Sequence, residues 1–120
     1  MSNNFDRQSI YSLLEALESR LNAERVAMVD LTKARAAFET EKLRVIAQAV
    51  KDGKIDMKNA DTRKTGESEA VENSSGCYWL EKYLFEAQVE YDLAEIDRKT
   101  IEAEISLTKA WLYSQSGVGK

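Results

Sequence analysis

The sequence predicts an all-α protein: a long antiparallel helical hairpin of coiled-coil type with a short extra helix in its connection. Three observations carry this. None of the 120 residues is proline, so nothing of that kind interrupts a helix interior. Apolar residues recur at alternating steps of four and three through two long stretches. Between them lies a polar, glycine-containing segment, Lys51 to Lys64.

The first helix is expected over about 8–51, with Asp6 or Ser9 suited to cap its free amides. Its seam reads Ile10, Leu14, Leu17, Leu21, Glu24, Met28, Leu31, Arg35, Phe38, Lys42, Val45 and Ala49, apolar except for three charged residues. Charges in a seam fix register and partner number at some cost in stability. A helix of this length spans on the order of 60 Å and needs a partner of similar length. Lys51 suits the negative end of the dipole, and Gly53 suits the left-handed closing residue.

A hinge follows over 52–59, in which Ile55 and Met57 are expected to tuck against the hairpin. Asn59 is a good N-cap for a short helix over about 60–72, frayed because Gly66 and its polar neighbours weaken the pattern. Asn73, Ser74, Ser75 and Gly76 read as a break, with Ser75 able to cap the next helix. That last helix is expected over about 77–114, before a flexible tail at 115–120. Its seam is Leu80, Leu84, Ala87, Tyr91, Ala94, Arg98, Ile101, Ile105, Thr108 and Leu112. A second apolar set, Phe85, Val89, Leu93, Ile96, Ala103, Leu107 and Ala110, makes the apolar surface too wide for one partner. Self-association into a homo-oligomeric bundle is the expectation. A hairpin centred near residue 64 would set Arg98 opposite the neighbourhood of Asp30.

At 120 residues, 43% hydrophobic and 32% charged, the chain reads as one domain, 1–120. No apolar run approaches a membrane span, and the start, M-S-N-N-F-D-R, lacks the features of a secretory signal. A cytoplasmic protein with no membrane partner is expected. The single cysteine, Cys77, excludes an internal disulfide and reads as a small apolar filler. The absence of histidine removes the commonest general base and transition-metal ligand, so no enzyme, cofactor or metal is expected. Pairs such as Glu102 with Glu104 lack the histidine that carboxylate metal sites in bundles use. The terminal G-V-G-K lacks the spacing, the following hydroxyl residue and the preceding strand of a phosphate loop.

The net charge of −4 disfavours broad nucleic-acid binding, yet the hinge gathers Lys51, Lys54, Lys58, Arg63 and Lys64 against Asp52, Asp56 and Asp61. Cations, a glycine and a helix N-terminus are the parts of an anion site. Rings beside cations suit a nucleobase, and Tyr78, Trp79, Tyr83 and Phe85 follow soon after. A solvated charged turn and packing rings are the plainer readings of both features.

The stretch from Gly53 to Arg63, G-K-I-D-M-K-N-A-D-T-R, resembles the hinge of small helical-hairpin proteins of bacteriophages and prophages. There the pattern is glycine, any residue, isoleucine, any residue, glycine, lysine, asparagine, then arginine four residues on. Gly53, Ile55, Lys58, Asn59 and Arg63 match, and Met57 stands at the second glycine. The layout is also similar in kind to phage oligomers that sequester cyclic-nucleotide or ADP-ribose-derived signals of bacterial defence. The resemblance implies a phage protein in the host cytoplasm that sequesters a small phosphorylated or nucleotide ligand. Lys54, Lys58 and Arg63 would meet phosphate, Asn59 would orient amides, and Tyr78 or Trp79 would stack. The alternative is a scaffold or accessory of phage replication or recombination, acting through protein and single-stranded DNA contacts.

Overall fold

A computed structural model describes residues 7–115, all-α in three helices. They are α1 (Arg7–Lys51), α2 (Ala60–Glu72) and α3 (Ser75–Gln115). The expected cap at Asp6 and most of the expected tail lie outside the described residues, and Ser9 is inside α1. Among the described residues no helix is long and apolar enough to cross a membrane.

Each helix ends for a local reason. Gly53 takes φ +73°, which lets Lys54 N–H reach the Ala49 carbonyl (2.9 Å) and Gly53 N–H reach that of Val50 (3.0 Å). These two bonds satisfy carbonyls that the end of α1 would leave open. Asn59 caps α2, its Oδ1 accepting from the amides of Asp61 (2.9 Å) and Thr62 (3.2 Å). Ser74, not Ser75, caps α3: its Oγ accepts from Cys77 N–H at 3.0 Å. The expected break at 73–76 therefore shrinks to Asn73 and Ser74. Gly76 is helical, and its missing side chain makes room, since a Cβ there would meet Glu41 Oε2 at 2.6 Å.

The described residues form two compact units, the first drawn from Met1–Met28 with Glu90–Lys120 and the second Val29–Val89. The second unit holds most of the core. Leu31, Ala34, Phe38 and Ala49 of α1, Ile55 of the hinge, and Cys77 and Ala87 of α3 are buried. Arg35 was expected in the seam here, but Ala34 takes the buried place and Arg35 is exposed. A straight helix drifts about 20° per heptad against a strict seven-residue repeat, so a charge can move to the edge while its small neighbour turns inward. Ile55 tucks in as expected, its Cγ1 3.1 Å from where a Cβ of Gly66 would stand. Met57 is exposed instead.

In the first unit α1 and α3 are antiparallel. Among its described residues only Ile105 and Thr108 are buried, and the Thr108 hydroxyl donates to the Glu104 carbonyl at 2.8 Å. Arg98 Nε and Nη2 donate to the two oxygens of Glu24 at 2.8 and 3.0 Å, and Nη1 donates to Glu102 at 2.9 Å. Arg98 thus lies opposite Glu24, not the neighbourhood of Asp30. The two-pronged Glu24–Arg98 pair puts the midpoint of the pairing near residue 61.

Candidate functional site

The hinge is largely occupied with itself. Besides the two amides held by Asn59, Lys58 N–H donates to Asp56 Oδ1 at 2.9 Å and Arg63 N–H to the Asn59 carbonyl at 2.9 Å. The first turn of α2 thus spends amides on its own cap. Lys58 and Asn59 are exposed and Arg63 is half-buried, with Asp56 and Asp61 close in sequence to offset them.

Lys54 sits elsewhere. It lines a cavity of about 280 Å³ with Asp52 and with Glu69, Ala70 and Asn73 from the far end of α2. Tyr78 and Trp79 also follow that far end, in the opening turns of α3. The 13 residues of α2 separate this end from Asn59, about 20 Å at 1.5 Å per residue. The structure keeps Lys58, Asn59 and Arg63 together. Tyr78 and Trp79 lie beyond the other end of α2, and Lys54 lines the cavity there.

The rings meet other cations. Tyr78 and Phe85 line an open cleft of about 660 Å³ in the second unit, together with Arg35, Glu81, Lys82 and Gln88. Arg35 Nη2 donates to Gln88 Oε1 at 3.2 Å, which aims the guanidinium across from α1 to α3. Trp79 does not line the cleft. Its ring packs edge-on against Tyr78 at 5.2 Å and lies 5.3 Å from Lys82 Nζ. The heptad spacing of Tyr78 and Phe85, with a seam arginine opposite, is the sequence signal that finds this cleft.

No family model matches the chain, and neither a curated protein nor a solved structure matches it significantly. Function rests on the geometry.

Two carboxylates are held below their ordinary values by neighbouring arginines. The guanidinium of Arg98 holds the Glu24 carboxyl below its ordinary value through their hydrogen bonds, and the pair raises Arg98 in turn. Arg44 lowers Glu41 in the same way, at 2.6 and 2.8 Å. Among the described residues no group of three cysteines or carboxylates is placed to hold a metal ion. None of their buried side-chain nitrogens or oxygens lacks a partner.

One uncommitted feature is apolar. The second set on α3 is exposed throughout: Phe85 and Val89 in the second unit, and Leu93, Ile96, Ala103, Leu107 and Ala110 in the first. At 100° per residue it stands roughly 180° from the seam, so it faces away from α1 instead of flanking the contact. Leu93 is 58% exposed and Leu107 70%, values that a partner helix would reduce.

Proposed function

We propose that the protein is a non-enzymatic association module whose third helix packs between α1 and a helix of another chain. The carrying observation is the outward apolar row of α3, exposed on the face opposite its seam. Exposed rows of this kind mark association surfaces. The hinge resemblance supports a phage setting, and with it the role of scaffold or accessory in replication or recombination.

A photo-crosslinking residue at position 107, irradiated in cells that make the chain, should give an adduct of higher mass. The same residue at buried position 105 should react only within the chain. An adduct of twice the chain mass identifies a second copy, as a homo-oligomer requires, and any other mass a different protein. If position 107 gives no adduct in the phage-infected host, the reading fails.

A second reading is favoured by the cleft of Arg35, Tyr78, Glu81, Lys82, Phe85 and Gln88. Its volume is within the roughly 300–1,000 Å³ of small-molecule sites, and rings with two cations suit an anionic, base-bearing ligand. In this reading Arg35 and Lys82 take the phosphate contacts first assigned to Lys54, Lys58 and Arg63, and Tyr78 stacks. Cyclic nucleotides and ADP-ribose derivatives should then raise the melting temperature. Arg35→Ala with Lys82→Ala should remove that rise, and Lys58→Ala with Arg63→Ala should keep it. The reverse pattern would return the site to the hinge.

A further inference from the structure

The outward face of α3 in the first unit carries charge of one sign on one flank. Glu90, Asp97 and Glu104 recur at heptad spacing and are all exposed. They lie about 70° from the row of Leu93, Ile96 and Leu107 at 100° per residue. No cation pairs with any of the three among the described residues. The opposite flank is already paired: Lys99 lies 3.9 Å from Glu95, and Glu102 is held by Arg98.

This charge pattern chooses an occupant. A second copy laid antiparallel on the row would set carboxylate stripe against carboxylate stripe. Laid parallel, the stripe would meet a flank whose one lysine in this region, Lys99, is engaged by Glu95. Like charges along a helix contact are destabilising, and opposite charges at flanking positions choose the partner. From the charge complementarity we infer that this face docks a basic amphipathic helix of another protein, with lysines or arginines at heptad spacing beside an apolar seam. The inference rests on the association reading and names its partner class.

Two synthetic helices of about four heptads, sharing one leucine and isoleucine seam, test it. One carries lysine at the flanking positions and its twin carries glutamate. Fluorescence anisotropy with the full chain should give binding of the lysine peptide tighter by roughly tenfold or more, from three flanking pairs, with the preference shrinking in high salt. Replacing the stripe (Glu90→Lys, Asp97→Lys, Glu104→Lys) should invert the preference. Leu93→Glu with Leu107→Glu should abolish binding of both peptides while circular dichroism stays unchanged. Equal binding of the twins overturns the basic partner and leaves association standing. So does a homodimer in sedimentation that Leu93→Glu with Leu107→Glu dissolves. Failure of both peptides to bind a monomeric chain overturns the docking face itself.

Discussion

Glu24 and Arg98 are the residues on which the register of the first unit turns. Their side chains are 14% and 20% exposed, and both forks of the guanidinium side are used. Bidentate geometry of this kind adds directional specificity that a single lysine contact lacks. Glu24→Gln should lower the melting temperature at neutral pH. The Glu24 carboxyl is held below its ordinary 4.5, so its contribution is fully present above that value and is lost as pH falls through the lower folded-state value. The gap between wild type and variant should therefore close on acidification, and a gap constant from pH 7 to pH 3 would contradict this role. Gly53 is the second such residue. Nothing lies within 4 Å of a Cβ placed there, so Gly53→Ala pays only for the left-handed backbone, about 1–2 kcal/mol. Thermal denaturation checks it, and Gly53→Asn should recover part of the loss.

At the level of elements, α2 has no buried residue of its own. It is held by its caps and by Ile55, which packs on Gly66. The glycine that weakens the helical pattern in the sequence is thus the seat of the hinge's anchor. Ile55→Ala removes that anchor and should cost about 2 kcal/mol or more. Amide exchange should quicken most in α2 and the hinge, and uniform quickening along α1 would show that Ile55 serves the general core instead. The helices themselves were legible because heptad spacing, missing proline, Gly53 and Asn59 are local signals. Cap placement at Ser74 was harder to read, since four consecutive small polar residues offer several equivalent caps. With Ser74 as the cap, Gly76 falls inside the first turn of α3.

Across the molecule, burial is uneven although the helices are regular. The second unit buries Leu31, Ala34 and Phe38, while Leu14 and Leu21, in the seam of the first unit, remain 44% and 43% exposed. Both groups belong to α1, so intrinsic helix propensity does not separate them. Hydrogen exchange should protect amides near Leu31–Phe38 by roughly tenfold or more over those near Leu14–Leu21. Equal protection would mean that the first unit gains cover in solution, and adding the lysine peptide should produce that gain if the peptide docks there.

The sequence by itself determined three helices, their main stop signals and the two apolar rows of α3, because those follow from backbone preferences and periodicity. It grouped Lys54, Lys58, Asn59, Arg63, Tyr78 and Trp79, of which Asn59 and Arg63 share the first turn of α2. Tertiary structure alone decided which charges meet which rings. Residues 58 and 78 look close along the chain, but the rigid rise of α2 lies between them, and the rings face Arg35 from the opposite helix. Proximity in sequence fails as a guide wherever a helix intervenes, since a helix fixes distance as firmly as it fixes direction.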